Sequence, residues 1–176
     1  MPYRTLPLAV LAILATAGCA TTYEDAASEA GSAIVVDRNG TTVGTASLFS
    51  QAGEVTVSVS LSGLAEGTHA VHLHTTGDCS ASDFASAGGH LNPLGNQHGS
   101  LNPQGAHLGD LPNAEISSEG VGTVSTVLNG SAETVLAQIF DSDGTAVVVH
   151  EGPDDYRSDP AGAAGSRIAC GVFAQR

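Results

Sequence analysis

Apolar and polar residues alternate with a period of two over much of this chain. Seven segments show the alternation clearly and one shows it weakly. Because successive side chains of a β-strand point to opposite faces, such segments are predicted to be strands with one buried face. The clear segments are Ala33–Asp37, Val43–Phe49, Val55–Leu61, Ala70–His74, Val121–Leu128, Thr145–His150 and Arg167–Phe173, and the weak one is Ala114–Ser117.

The predicted strands are short, and Gly- and Asn-rich turns separate them. Asn39-Gly40 and Asp143-Gly144 are typical tight-turn dipeptides. No long amphipathic helix stands between the strands, and Thr134–Phe140 is either a further strand or part of a connection. We therefore predict an all-β fold, an antiparallel Greek-key β-sandwich or flattened barrel of about eight strands.

Two long stretches, residues 75–112 and 151–166, break the alternation and are rich in Gly, Pro, Asn, Asp and Ser. Loops this long inside a compact domain are usually functional or disordered. The first loop carries four residues that can bind metals, so we expect a functional role for it. These residues are His90, His98, His107 and Asp110.

The start of the chain is typical of an export signal, which we assign to residues 1–18. Arg4 precedes an apolar run that is too short to span a bilayer. Thr16-Ala17-Gly18-Cys19 resembles the lipobox of bacterial lipoproteins, which predicts lipidation of Cys19. Ordinary cleavage, or a cysteine there by chance, is the alternative. Residues 19–31 are expected to form a flexible tether and residues 32–176 a single domain.

Charge and cysteine content narrow the possible partners and compartments. There are 18 acidic residues against 5 basic ones, and all the basic ones are Arg. Such a surface repels nucleic acid and anionic membranes, so neither is expected as a partner. If Cys19 carries lipid, Cys79 and Cys170 remain, and an exported location permits a disulfide between them. Two unpaired buried thiols are the alternative.

Histidine supplies most of the candidate chemistry. In the strand around His72, alternation places His72 and His74 on one face, and Val71, Leu73 and His69 on the other. With Val71 and Leu73 in the core, the pair lies on the outer face beside the loops, where a metal can reach it. A pair of this kind can also be merely exposed and polar. We expect His69 to be a buried structural histidine bonded to the backbone.

The histidines and Asp110 together form two candidate ligand sets. Three histidines and an aspartate with no open position are typical of a closed tetrahedral zinc site. The remaining histidines, with a share of His90, leave open coordination for a redox metal such as copper. The ligands of the first set are His90, His98, His107 and Asp110, and those of the second are His72, His74, His150 and His90.

Several motifs occur in order along the chain. They are AVHLHTTGD at Ala70–Asp78, GHLNP at Gly89–Pro93, HG at His98-Gly99, HLGDL at His107–Leu111, VHE at Val149–Glu151 and GSRIACGV at Gly165–Val172. In order and spacing, over residues 32 to 174, the chain resembles copper/zinc superoxide dismutase in its exported bacterial form. The resemblance implies copper on the second ligand set and zinc on the first, with His90 bridging as an imidazolate.

The resemblance also implies roles around the metals. Cys79 and Cys170 match the disulfide of the family, and Arg167 its substrate-guiding arginine. Asp154 matches a carboxylate that links a copper histidine, here His72, to a zinc histidine, here His98; Asp155 is the nearest competitor for that role. Such partners orient the ligands and tune their basicity.

The activity implied is conversion of superoxide to dioxygen and hydrogen peroxide by alternation between Cu(II) and Cu(I), with a structural zinc. His90 would supply a proton, and Arg167 would draw in the anion. We expect a periplasmic or cell-envelope lipoprotein that is a monomer or a homodimer. Ala163 stands where the family commonly has Asn, and the second loop has no lysine, so a rate below the best of the family is expected.

Three alternatives remain at this point. The protein could be a non-enzymatic exported copper/zinc-binding protein. It could be a zinc hydrolase or hydratase that uses His72, His74 and a third histidine, although that leaves His98, His107 and Asp110 unexplained. Arg167 could form a structural salt bridge near the end of the chain instead of guiding a substrate.

Overall fold

The computed structural model describes Met1 and residues 26–176. The predicted export signal beyond Met1, Cys19 and the tether up to residue 25 lie outside the described residues. The described part is nearly all β, with ten strands, one α-helix and one short 3-10 helix. None of its helices is long and apolar enough to cross a membrane.

The strands extend the predicted set by short additional segments. They are β1 (Ser28–Asp37), β2 (Thr42–Gln51), β3 (Glu54–Ser62), β4 (Gly67–His69), β5 (Val71–His74), β6 (Ala114–Ile116), β7 (Val121–Leu128), β8 (Ala146–His150), β9 (Arg167–Val172) and β10 (Ala174–Gln175). The helix is α1 (Ala132–Ile139), and the 3-10 helix spans Ala85–Ala87.

Eight strands form one curled antiparallel sheet in the order β5-β8-β9-β1-β2-β3-β7, with β10 beside β1, and β4 pairs with β6. Strands that are distant in sequence, such as β5 and β8, are neighbours, so long crossovers connect them. This arrangement is the predicted antiparallel Greek-key sandwich.

Strand β3 shows why the alternation predicts the fold. Its apolar residues, Val55, Val57, Val59 and Leu61, are each at most 3% exposed. They join the core together with apolar residues of β5 and β8. Burial of this kind contributes about 25 cal/mol per Å² of apolar surface, so the inward faces of the long strands hold the sandwich together.

Strand β1 begins earlier than predicted. Ser28 pairs with Ser50 and Glu29 with Phe49 of β2. In addition, Arg176 Nε lies 3.7 Å from Glu29 Oε2. Residues 28–31 therefore belong to the sheet and not to a flexible tether, because backbone pairing with β2 continues past the apolar alternation.

The segment Thr134–Phe140 is not a strand but part of a connection, the second of the two alternatives. Its residues up to Ile139 lie in α1, between β7 and β8, and Phe140 is the C-cap of the helix. Ser131 caps the helix, since its Oγ accepts a hydrogen bond from the Thr134 amide at 3.3 Å. Val135 and Ile139, one helical turn apart, are the buried residues of this helix.

The two long loops cover the outer face of β5 and β8. Phe84 and Ala87 of the first loop pack against Ala146 and Val148 of β8. The second loop returns beside them, where Gly152 N donates to Ala164 O at 2.9 Å. The loops thus enclose a second interior on the side of the sheet opposite the apolar core.

Candidate metal centre

Two neighbouring strands place three predicted ligands together. In the antiparallel pair of β5 and β8, His72 stands opposite Val148 and His74 opposite Ala146. His150 ends β8, and its ring centroid lies 4.9 Å from that of His72. All three histidines are at most 3% exposed. The outer-face prediction is right, but the loops bury this face.

The first loop runs against β5 and brings the other ligands to it. Leu73 N donates to Gly109 O at 2.9 Å, and Leu91 N donates to Leu73 O at 2.8 Å. A Cβ atom on Gly109 would collide with the Leu73 carbonyl oxygen, so this close approach requires glycine. The contacts position His90 beside His74 and Asp110 beside His72.

The four histidines around the ends of β5 and β8, here called the strand-end group, present ring nitrogens to one another. One nitrogen on each ring is buried and has no hydrogen-bond partner among the described residues. A buried polar atom without a partner costs free energy, about 1–3 kcal/mol, so these nitrogens are expected to bind a metal ion. The atoms are His72 Nδ1, His74 Nε2, His90 Nε2 and His150 Nε2.

The second set, here called the loop group, consists of His90, His98, His107 and Asp110 and converges on one carboxylate oxygen. Asp110 Oδ1 lies 2.9 Å from His90 Nδ1, 3.0 Å from His98 Nδ1 and 3.1 Å from His107 Nδ1. Asp110 Oδ2 accepts hydrogen bonds from the amides of Gly99 and His107 instead. In each group the potential ligand atoms lie within 4.8 Å of one another.

His90 belongs to both groups. Its Nδ1 faces the loop group, while its Nε2 is the unpartnered atom in the strand-end group. No other described residue belongs to these two sets at once. A single imidazole ring therefore stands between two potential metal positions.

The other histidines use their second nitrogen to bind oxygen atoms of the protein. His74 Nδ1 donates to Gly88 O at 2.9 Å and His150 Nδ1 to Gly165 O at 3.2 Å. The same arrangement is found at His107, whose Nε2 lies 3.2 Å from Asn96 O. Partners of this kind fix the orientation of metal-binding imidazoles and raise their basicity.

Asp154 links the two groups through the second ring nitrogen of one histidine from each group. Its Oδ2 accepts from His72 Nε2 at 3.0 Å, and its Oδ1 accepts from His98 Nε2 at 2.9 Å. The carboxylate is fully buried. Asp155 is exposed and bonds to Ser158 instead. The structure thus places Asp154, and not its competitor, between the histidines. Gly162, with φ of 65°, packs where a side chain would collide with Asp154.

Burial keeps the imidazoles of His74, His90 and His150 neutral. Desolvation lowers the pKa of His74 to about 2, that of His150 to about 3 and that of His90 to about 4. Neighbouring histidines lower these pKa values further, whereas the hydrogen bond to Asp110 opposes the shift at His90. Neutral imidazole is the form that binds metal ions.

The two buried carboxyl groups are ionised. Burial opposes ionisation of Asp110, but hydrogen bonds from His90 and from the Gly99 and His107 amides outweigh it and lower the Asp110 pKa well below 3.8. At Asp154 burial is likewise outweighed, by the hydrogen bonds from His72 and His98, and the pKa falls to about 2. The loop group therefore offers one negative charge to a cation.

Arg167 stands at the mouth of the strand-end group. Its Nη1 donates to Phe84 O at 2.7 Å and its Nη2 to Gly88 O at 2.6 Å. Among the described residues no carboxylate lies within ion-pair distance of Arg167, so no direct salt bridge is formed there. Burial lowers the pKa of Arg167, and nearby Asp83 opposes this. The arginine lines a cavity of about 330 Å³ together with His74, His90 and His150.

A disulfide fixes the segment that holds Arg167. Cys79 and Cys170 are bonded, with Cα atoms 5.9 Å apart, and the alternative of two free thiols is wrong. Cys170 is buried in β9 and packs with Phe84 and Ala87. The bond therefore anchors the part of the first loop whose carbonyl groups accept from Arg167.

The comparisons with known proteins agree with this geometry. The family profile described as copper/zinc superoxide dismutase matches residues 38–173. The chain belongs to this family. It is 42% identical over 143 residues to the Cu-Zn superoxide dismutase 2 of Aquifex aeolicus, covering 79% of this chain and 83% of that relative.

Further relatives extend the likeness of this superoxide dismutase family member. A Cu-Zn superoxide dismutase of Caulobacter vibrioides is 37% identical over 145 residues, covering 80% of this chain and 83% of the relative. The crystal structure of a SOD-like protein from Bacillus subtilis superposes with a TM-score of 0.72 at 36% identity, covering 82% of this chain and 99% of that one. The bacterial relatives and the disulfide indicate an exported protein.

The donor chemistry fits the two metals of the family. The strand-end group offers four imidazole nitrogens that lack other partners, a set suited to copper. The loop group offers three imidazoles and a carboxylate, which is a closed zinc set. The shared ring of His90 accounts for both sets with one residue fewer than two separate sites would need.

His69 lies outside both groups, as predicted. It is 5% exposed, and its Nδ1 lies 2.8 Å from His150 O. Its Nε2 lies 3.1 Å from Ala65 O. The His69 ring therefore forms hydrogen bonds with backbone carbonyl groups beside the metal centre, and it belongs to neither ligand set.

Sequence reasoning missed three residues that support the centre. Asp159 Oδ1 accepts from the His98 amide at 2.7 Å and so ties the second loop to the first. Asn113 and Tyr156 bond to each other and to the segment of Asp154. Their positions next to Asp110 and Asp154 were the available signal, but alternation does not report on contacts between loops.

Proposed function

We propose that this protein is an exported superoxide dismutase that binds one copper and one zinc per chain. The proposed copper ligands are the four histidines of the strand-end group, His72, His74, His90 and His150. The proposed zinc ligands are the loop group, His90, His98, His107 and Asp110. The observation that supports the proposal most strongly is His90, whose two ring nitrogens face different groups.

When bound, copper supplies one-electron exchange with superoxide in both directions, and zinc, which has no redox chemistry, supplies structure. Asp154 holds the rings of His72 and His98 in place, because its two oxygens accept from both. Each of these rings thereby turns its remaining nitrogen toward its own group. Ligands that are preorganised in this way lose little side-chain freedom on metal binding.

Arg167 binds and orients the substrate in this proposal. Superoxide is a small anion, and the net charge of the chain is −13. A fixed guanidinium beside the strand-end group therefore provides a local positive field against a repelling background. The Phe84 and Gly88 carbonyl groups use two of its N–H donors, and a guanidinium has further donors for an anion.

His90 is the residue best placed to supply a proton. Its Nε2 atom faces the strand-end group, and the ring lines the same cavity as Arg167. Peroxide formation consumes protons, so an imidazole nitrogen at this position can deliver one where the product forms. We therefore assign His90 a role in proton delivery as well as a role as ligand: Nε2 would take up a proton from solvent only while it is not bound to copper, and would pass that proton to the product.

The decisive experiment is metal analysis of the purified protein combined with a dismutase assay. We expect one copper and one zinc per chain and activity that depends on copper. Metal-free protein reloaded with zinc alone is the matched control. Hydrolytic or hydratase activity with zinc alone, or metal binding without removal of superoxide, would contradict the proposed function.

We also propose that the protein is a lipoprotein of the periplasm or cell envelope, anchored through Cys19. The support is the lipobox-like sequence Thr16–Cys19. A Cys19→Ser variant is expected to move from the membrane fraction to the soluble fraction in cell fractionation. An unchanged distribution would rule out the anchor and leave the enzyme assignment intact. Monomer and homodimer are both compatible with the proposal, and ultracentrifugation distinguishes them.

A further inference from the structure

Tyr156 has an unusual backbone conformation next to the metal centre. Its φ angle is 60°, in the left-handed region that aromatic residues rarely occupy. Conformations of this kind persist only where surrounding contacts hold them. Here the Tyr156 amide donates to Asp154 Oδ1 at 2.6 Å, and Leu101 N donates to Tyr156 O at 3.1 Å. The turn thus brings an amide donor to the Asp154 carboxylate.

Asn113 holds the same segment from the opposite side. Its Oδ1 accepts from Asp154 N at 2.9 Å, and its Nδ2 donates to Asp154 O at 3.0 Å. Its backbone amide donates to the Tyr156 hydroxyl oxygen at 2.8 Å. These three bonds, here called the Asn113–Tyr156 clamp, fix both the backbone of Asp154 and the residue whose amide reaches its carboxylate.

The clamp also connects two parts of the centre that are far apart in sequence. Asn113 follows Asp110 by three positions, so it belongs to the segment that ends the loop group. Asp154 and Tyr156 belong to the second loop. The link runs from that segment through Asp154 to the rings of His72 and His98, one in each group.

We infer that Asn113 and Tyr156 are positioning residues that set the Asp154 carboxylate and thereby couple the two metal sites. This inference rests on the proposed function, since it concerns the same two sites. Asp154 can orient His72 and His98 only if its own carboxylate is fixed. Loosening the clamp frees both rings, and the affinity and ligand geometry of both sites change together.

The test uses Asn113→Ala and Tyr156→Phe in the full chain. The first removes two bonds to the Asp154 backbone, and the second removes only a hydroxyl group. Arg157→Ala is the matched control, because exposed Arg157 joins the same two loops through a bond to Leu101 O at 3.2 Å and its side chain has no bond to Asp154. Metal-free proteins are titrated with Co²⁺ as a probe of the zinc site and with Cu²⁺.

Loss of partners behind a ligand typically weakens metal binding 10- to 100-fold. We expect Co²⁺ affinity to fall by about 10-fold in Asn113→Ala and by about 3-fold in Tyr156→Phe, the values scaled down from that range because the clamp acts through Asp154. The visible absorption band of bound Cu²⁺ should shift in both variants, which a purely structural role would not cause. Arg157→Ala should match the wild type in affinity and spectrum.

The outcomes separate the inference from the function. If the wild type binds both ions and the two variants match it, the clamp has no positioning role and the inference is wrong, while the function stands. An equal change in Arg157→Ala would also overturn it, since general fastening of the loops would be the cause. If the wild type takes up neither ion, the proposed function fails as well. Should Asn113→Ala not fold, Tyr156→Phe decides alone.

Discussion

Strands β3 and β5 belong to one sheet, but their outer faces differ. In β3 the inward residues are buried, and the outward ones, such as Ser60, are exposed or half-buried. In β5 every residue is buried, because the first loop covers the outer face. Val71 and Leu73 face the apolar core, while His72 and His74 face the metal centre. Loops thus turn the solvent face of a sandwich into a second, polar interior.

Adjacent residues of β5 therefore have different roles, one in stability and the other in chemistry. An inward residue of β5 contributes stability, as an inward residue of β3 does. An outward residue of β5 contributes chemistry, whereas an outward residue of β3 contributes little of either. Substitutions on the two faces of the two strands test this distinction.

The largest effect is expected from the outer face of β5. His72→Ala removes one proposed copper ligand and the partner of Asp154 Oδ2, so dismutase activity should fall to background. The sandwich should stay folded, because no apolar core residue is lost. Dismutase assays and circular dichroism check this. An unfolded variant, or unchanged turnover, would contradict the division between the faces.

A substitution on the inner face of β5 should instead lower the stability of the protein. Leu73 is fully buried, so Leu73→Ala should lower the free energy of unfolding by about 2–5 kcal/mol, as cavity-forming substitutions do. Chemical denaturation measures the loss. Leu48→Ala in β2, also fully buried, should cost a similar amount and leave metal binding intact. A loss below 1 kcal/mol at Leu73 would mean that β5 is not packed as described.

The polar interior should make the metal-free protein sensitive to acid. The pKa values of His74, His90 and His150 lie below the ordinary 6.5, so the unfolded chain takes up protons first as pH falls. Stability is therefore present above pH 6.5 and is lost as pH falls toward about 4 for His90, about 3 for His150 and about 2 for His74, by up to about 1.4 kcal/mol per pH unit for each histidine.

Chemical denaturation of the metal-free protein at pH 7, 6 and 5 tests this dependence. His74→Gln should reduce the slope, because one titrating ring is gone. A free energy of unfolding that stays constant over this range would show that the rings are not buried in the neutral form. The carboxyl groups of Asp110 and Asp154 add no pH dependence above pH 5, since their ordinary pKa of 3.8 and their lowered pKa values in the folded protein both lie below this range.

A smaller effect is expected at the mouth of the centre. Arg167→Ala should slow the reaction with superoxide on the order of 10-fold and weaken its dependence on salt, because the local positive field is lost. Arg176→Gln, at an exposed residue beside Glu29, removes the same charge elsewhere and is the control. Stopped-flow rates at several ionic strengths check both. Equal rates in the two variants would mean that Arg167 has a structural role and does not guide the substrate.

The smallest effect is expected on the outer face of β3. Ser60 is exposed and pairs with Thr123 of β7 through the backbone. Ser60→Ala should change the free energy of unfolding by no more than about 0.5 kcal/mol and leave activity unchanged. Denaturation and the dismutase assay measure this. A larger loss would indicate that this face is covered in the working protein.

Sequence alone predicts much of this molecule, for identifiable reasons. Alternation predicts the strands because one face of each must be buried, as Val55 and Val57 show. The histidines and Asp110 stand close together in Gly-rich sequence, and their motifs resemble those of the family. These two observations together predict the ligand sets. The choice of Asp154 over Asp155 agrees with the placement of both residues in the structure.

The remaining features depend on contacts that local pattern does not contain. The helix α1 is short and is stabilised by a cap at Ser131 and by burial of Val135, signals too brief to compete with the strand pattern. The extension of β1 to Ser28 depends on pairing with β2. The carbonyl group of Gly88 that accepts from both His74 and Arg167 becomes apparent only once the loop is placed.

The backbone bonds between Leu73 and the first loop have a consequence for solubility. β5 is the last strand of its sheet, and a terminal strand offers unpaired amide and carbonyl groups to other molecules. In the first loop, Gly109 O accepts from the Leu73 amide and Leu91 N donates to the Leu73 carbonyl group. Just beyond the strand, Gly89 O accepts from Thr75 N. The loop segment that carries the ligands therefore also covers a sheet edge that would otherwise be prone to aggregation. Detachment of this segment would open a template for intermolecular strand addition.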